Sequence, residues 1–282
     1  MYYLSEDERR EAERLARSLD IDEEFRGWSY HEGPLKPPYD VKIPIYIISS
    51  NMQFRSKEEY ESIIKLNRTN PRKEMVLGML LHKTMYLVVK EAKEFVYSHK
   101  EVSGNELYNY LIDVRRKNLS NMIDSLQGLA RVYGNEFLHY LNRLWYFESL
   151  QISANIDRIN SHDRYDPDML IAKAIPFALE YKIDGSKIGL SENLSIDAFG
   201  KLVIFELKTG KMKDYHKLAI AGYALALESI LEHPINVGCL VYVSFDEGIV
   251  PKIRRYVLPI EEALRRWFIE ERDKVMEILA LG

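Results

Sequence analysis

Asp197, Glu206 and Lys208 interrupt an otherwise apolar stretch at residues 194–210, Leu-Ser-Ile-Asp-Ala-Phe-Gly-Lys-Leu-Val-Ile-Phe-Glu-Leu-Lys-Thr-Gly. Two carboxylates on a mostly apolar surface repel one another, and burial and like charge both raise their pKa values. A divalent cation removes that repulsion, and oxygen donors suit Mg²⁺ or Mn²⁺. A lysine one strand step past the second carboxylate can donate to a phosphate or steer a water. The plain alternative is an edge hairpin carrying a surface ion pair, because short patterns of this kind recur by chance.

A hairpin must bring these groups together. Apolar runs at 194–199 and 202–207 flank Gly200-Lys201, which reads as the turn. Strand side chains alternate, so Glu206 and Lys208 share a face with Leu202 and Ile204. If the turn holds Gly200 and Lys201, Phe199 pairs with Leu202 and Asp197 with Ile204. Asp197 then lies diagonal to Glu206 on one face, within reach of a shared ion. A three-residue turn would put Asp197 on the other face.

The rest of the chain supplies the frame. It has 282 residues, 46% hydrophobic and 29% charged, with net charge −4. That is enough for a sizeable core, and it argues against an unselective polyanion binder. The single cysteine, Cys239, sits in an apolar run and reads as a buried thiol. No signal-peptide pattern follows Met1, and no apolar run is long enough to span a bilayer, so a soluble cytoplasmic location is expected. A surface helix is expected at 5–19, and a proline-rich, aromatic arm, kept extended, at 25–44. A short strand or turn and then a helix from Ser56 should follow. Long apolar helices are expected at 72–99, 105–124 and 128–156, with Gly104 breaking the pattern. The Arg115-Arg116-Lys117 run there reads as a solvated face or, more sharply, a DNA contact. From about 170 the runs 175–183, 187–190, 194–199 and 202–207 read as an antiparallel meander, with Asp184-Gly185 as one turn. A small-residue helix at 213–232, strands at 238–245 and 250–258, and a charged helix at 260–280 complete an α/β fold with a mixed central sheet.

Further residues join the set: Gly78-x-x-x-His82 on the first long helix, and Tyr223 on the helix that follows the hairpin. Asp197, a short gap, then Glu206-Leu207-Lys208 on the next strand resembles the core of the PD-(D/E)xK, restriction-endonuclease-like nucleases. Gly78-x-x-x-His82 and Tyr223 narrow the likeness to the RecB-like branch. Glu-Leu-Lys-Thr-Gly-Lys at 206–211 and Gly-Tyr-Ala-Leu-Ala-Leu-Glu at 222–228 resemble CRISPR-associated RecB-like exonucleases of spacer acquisition. Arg26-Gly27-Trp28 and Pro37-Pro38-Tyr39-Asp40-Val41-Lys42 are similar to the archaeal subtype.

The resemblance implies roles. Asp197, Glu206, the Leu207 carbonyl and His82 would hold Mg²⁺ or Mn²⁺. Lys208 would orient the attacking water or stabilise charge on the phosphate, and Tyr223 would help hold DNA or the metal site. Two departures stand out. Ala219 occupies the place of the glutamine in the family's Q-x-x-x-Y element, so His216 or Lys217 would have to substitute. The family commonly carries four cysteines for an iron–sulfur cluster, one near the segment that reads Ser50-Asn51-Met52-Gln53-Phe54 here. With Cys239 alone, no such cluster is expected. Lys211, His216 and Lys217 gather at the start of a buried helix, where free N–H groups favour phosphate, and read as DNA contacts or as a solvated face.

The expectation is one nuclease domain over 1–282, with an arm at 1–70, a helical segment at 71–165 carrying His82, a catalytic sheet core at 166–260 and a terminal helix at 261–282. It would act on DNA ends for spacer acquisition, with the CRISPR integrase complex as a candidate partner and no membrane. The alternatives are an inactive DNA-binding or integrase-docking scaffold of the same fold, and a structure-selective repair nuclease.

Overall fold

The computed structural model describes residues 1–245 and 250–281. In chain order the helices are α1 (Glu6–Ser18), α2 (Ile45–Ser49), α3 (Lys57–Thr69), α4 (Lys73–Ser98), α5 (Gly104–Asp124), α6 (Gly128–Asn160), α7 (Pro167–Ala174), α8 (Lys217–Leu231) and α9 (Glu262–Leu281). The strands are β1 (Ala178–Ile183), β2 (Leu194–Gly200), β3 (Val203–Thr209), β4 (Val237–Ser244) and β5 (Lys252–Pro259). They form two units. A helical unit holds Met1, Asn67–Phe177 and the described part of 243–253, and a sheet unit holds Tyr2–Leu66, Ala178–Tyr242 and the chain from Arg254. No helix among the described residues is long and apolar enough to cross a membrane.

In the helical unit, α4, α5 and α6 pack around Leu80, Leu81, Val88, Leu107, Leu111, Leu141, Leu144 and Trp145, all buried. The Trp145 indole N–H donates to the Leu111 carbonyl at 2.8 Å, so this large ring is buried without an orphaned donor. The helical pattern does break before Gly104, at residues 99–103. Gly104 itself is the first residue of α5, capped by the reciprocal Ser103–Glu106 box. A Cβ at Gly104 would come within 2.3 Å of the Ser153 carbonyl, so only glycine allows this approach to α6.

In the sheet unit the strand order is β1-β2-β3-β4-β5, and β1–β2 and β2–β3 are antiparallel. With α8 linking β3 to its neighbour β4, the sheet is mixed. The run at 187–190 is not a strand. Asp184 accepts the Ser186 N–H at 2.8 Å and opens a 3₁₀ turn, Ser186–Ile188, so β1 pairs directly with β2. Ile45–Ser49 is a short helix where a strand or turn was expected.

The proline-rich arm is ordered, but it is not extended. It forms 3₁₀ turns at Glu23–Phe25, Gly27–Ser29 and Gly33–Leu35. Pro34 falls in the first turn of the last one, where a missing N–H costs nothing. The arm's carbonyls find donors on α9. Arg265 Nη1 bonds the Phe25 carbonyl at 3.1 Å, and Arg272 bonds those of Leu35 at 2.8 Å and Pro34 at 3.2 Å. Helix α8 is buried nearly all round from Leu218 to Ser229 and packs against β3, α2, α9 and the Gly27–Ser29 turn. That explains why its sequence lacks a polar face.

Candidate active site

The β2–β3 turn differs from expectation by one residue. Gly200 pairs with Val203, Phe199 with Ile204 and Ala198 with Phe205, so the turn residues are Lys201 and Leu202. Both have positive φ, 52° and 61°, as a two-residue type I′ hairpin requires. The loop is still even-numbered, so the faces are kept. On the same count, Asp197 comes directly opposite Glu206 and is not diagonal to it.

Around that pair the contacts are close. Asp197 Oδ2 accepts the Leu207 backbone N–H at 2.6 Å. Glu206 is only 6% exposed. Its Oε1 accepts from Lys208 Nζ at 2.7 Å, while Oε2 is buried with no hydrogen-bond partner among the described residues. Burial, and then the Glu206 charge, push the Asp197 carboxyl well above the usual carboxylate range, and a hydrogen bond to Glu206 acts in the same sense. The Leu207 N–H and Lys208 oppose that rise. Burial would lower the Lys208 pKa, but the Glu206 carboxylate outweighs it, and the ammonium is held charged.

Tyr223 reaches this region from α8. Its hydroxyl donates to the Ser195 carbonyl at 2.9 Å, tying α8 to β2. Burial and the charges of Glu206 and Asp197 raise its pKa well above the ordinary value, so it keeps its proton. Ala219 is fully buried one turn earlier and offers no polar atom. His216 ends a 3₁₀ turn, Asp214–His216, before α8, and its Nδ1 lies 2.7 Å from the Tyr242 hydroxyl. Lys211 is exposed after β3, and Lys217 begins α8 with Asp214 at 3.5 Å. His82 lies on α4 in the helical unit. The sheet unit by itself joins Asp197, Glu206, Leu207, Lys208 and Tyr223. In the helical unit, Arg115 stacks over Tyr146 with its guanidinium carbon 4.1 Å from the ring centroid.

Two residues were given no role from the sequence. Tyr242 was hidden in the apolar run of β4, where a tyrosine looks like any core aromatic. Glu228 had a signal: it is a carboxylate in the middle of an apolar helix. It is fully buried and accepts from Arg265 at 2.7 and 2.9 Å, Arg26 at 3.1 Å, Gly27 N at 2.8 Å and Ile235 N at 2.8 Å.

Among the described residues no three His, Cys, Asp or Glu side chains gather as a metal-binding set. The donors that do gather fit a hard cation. They are two facing carboxylates, one with an orphaned buried oxygen, beside a backbone segment whose N–H is already used. Mg²⁺ is commonly held by one or two carboxylates and completes its shell with water and substrate phosphate. Cys239 is buried and free, its thiol pushed up to about 12, mainly by burial.

The family model described as CRISPR-associated exonuclease Csa1 matches residues 1–282. A protein of Saccharolobus solfataricus with the same description is 31% identical over 265 residues, covering 93% of this chain and 86% of the relative. One of Thermoproteus tenax, also so described, is 23% identical over 262 residues, covering 93% and 84%. No solved structure shows significant similarity to the chain. Full-length agreement with the family model, and a relative at this identity over most of both chains, make the chain a member of the CRISPR-associated exonuclease Csa1 family.

Proposed function

We propose that this chain is a metal-dependent DNA exonuclease of the RecB-like, PD-(D/E)xK type, trimming DNA ends for spacer acquisition with Mg²⁺ or Mn²⁺ and without an iron–sulfur cluster. The observation that carries this reading is the orphaned buried oxygen of Glu206 facing Asp197, with Lys208 alongside. As two ionised carboxylates the pair is poorly satisfied. A proton on Asp197 or a divalent cation answers the deficit, and the chain's family favours the cation.

Asp197, Glu206 and the Leu207 carbonyl would hold the ion. When bound, such an ion acidifies water and polarises a phosphate. Lys208 places a fixed positive charge at the same carboxylates, where negative charge grows as the phosphate is attacked. Tyr223 stays protonated and fixes β2 through Ser195. Lys211 and Lys217 would meet the DNA backbone, and the integrase complex would receive the trimmed ends.

The test is digestion of 5′- and 3′-end-labelled DNA with Mg²⁺ or Mn²⁺, with and without EDTA. The expected result is progressive shortening from an end, abolished by EDTA. Cleavage that persists in EDTA, or an absence of cleavage with either metal, would refute the reading.

A further inference from the structure

His216 and Tyr242 form a hydrogen-bonded pair that feels the charge of Lys208, and His216 also that of Glu206. His216 Nδ1 and the Tyr242 hydroxyl are 2.7 Å apart, with ring centroids at 5.8 Å. Tyr256 and Asp214 act on Tyr242 through charge alone, and the groups that offer protons to its oxygen are the Lys213 backbone N–H, which hydrogen-bonds it, and the Lys208 ammonium, which acts through its charge. Both are donors and neither can accept. The phenol oxygen therefore turns its lone pairs to them and its proton to Nδ1. A ring nitrogen that accepts at Nδ1 carries its own proton on Nε2. No partner among the described residues occupies Nε2. Burial and the positive charges of Lys208 and Lys213 outweigh the pull of Glu206 and hold the imidazole neutral, at about 4. Tyr242 also packs edge-on against Tyr256, and Tyr215 packs edge-on against His216, so neither ring of the pair turns freely.

We propose that Tyr242 fixes His216 as the neutral Nε2–H tautomer, and that this N–H holds a phosphate oxygen of the DNA strand beside Lys208. The assignment rests on the exonuclease reading for its substrate, but not for its tautomer. A neutral donor suits this place. A second full positive charge next to Lys208 would compete with it for Glu206, whereas an uncharged N–H adds direction without disturbing the carboxylates. His216 is thus a positioning residue for the scissile strand.

Two measurements separate the parts. Long-range proton–nitrogen correlation spectra of the full chain at pH 7 report the tautomer without any substrate. A neutral Nε2–H pattern in wild type that gives way to mixed tautomers in Tyr242→Phe is expected. An imidazolium or an Nδ1–H pattern in wild type would overturn the proposal. Digestion of end-labelled DNA with Mn²⁺ then tests the role. His216→Ala should lose about 10²- to 10³-fold in kcat, the range of one lost positioned donor, with Mn²⁺ affinity unchanged. His216→Gln, which keeps an N–H donor, should recover most of the loss. Wild-type cleavage with His216→Ala equally fast would refute the phosphate contact. If wild type does not cleave at all, the exonuclease reading fails and takes the phosphate role with it, and the spectra still decide the tautomer.

Discussion

Lys208 is the residue whose removal distinguishes chemistry from scaffold. Its Nζ bonds Glu206 at 2.7 Å, but neither carboxylate depends on it for its place in the strand. Lys208→Ala should keep Mn²⁺ binding and lose about 10²- to 10³-fold in cleavage rate, the usual cost of one preorganised electrostatic group. Single-turnover digestion beside a metal titration checks both halves. A variant that binds metal and cleaves like wild type would remove Lys208 from the mechanism. Leu202 makes a stability prediction. It holds φ at 61° and is 43% exposed, so its side chain contributes little burial while its backbone is strained. Leu202→Gly should raise stability by up to about 1 kcal/mol, read as a higher urea midpoint, because glycine adopts this conformation freely. The faces of Asp197, Glu206 and Lys208 were legible in the sequence because period 2 fixes them once the loop is even. The turn's position was not. Glycine drew attention to Gly200, yet the two residues with positive φ are the ones after it.

At the scale of elements, α8 is the piece on which the arm, α9 and the hairpin converge. Its helical identity could be read from its length and small residues, and its burial from the absence of a polar stripe. The arm could be read as ordered from its aromatics, but not as 3₁₀ turns. Those depend on donors from α9, more than two hundred residues away in sequence, and local pattern carries no trace of them. The same distance hid the Glu228 network. Glu228→Ala would strand Arg26 and Arg265 without their shared counter-charge, and should cost about 3–5 kcal/mol in denaturant unfolding. Gly27→Ala tests the arm from the other side. A Cβ there would lie 2.1 Å from the Leu225 carbonyl oxygen, which is helix backbone and cannot yield. A loss of about 3 kcal/mol or more is expected. A fully stable Gly27→Ala protein would show that the arm does not seat on α8 as described.

Over the whole molecule, net charge −4 means that DNA would have to be met by local positive groups, so few phosphates would be neutralised and affinity should fall only shallowly with salt. His216 also links the fold to pH. Its folded pKa is about 4, below the ordinary histidine value. The unfolded chain therefore binds this proton first as pH falls, and stability drops through the window from about 6.5 down to about 4. Urea midpoints at pH 7 and pH 5 should differ more for wild type than for His216→Gln. Equal differences would mean that this histidine does not report on folding. The carboxylate pair works in the opposite direction, since burial and the Glu206 charge raise the Asp197 pKa, and a bound cation would compete with its proton. Calorimetric titration of Mn²⁺ into wild type and Asp197→Ala at pH 6 tests the pair most directly. Saturable binding to wild type with release of protons, lost in Asp197→Ala, is the expected result. Equal binding to both proteins, or none to wild type, would contradict the assignment of Asp197 and Glu206 as the cation site.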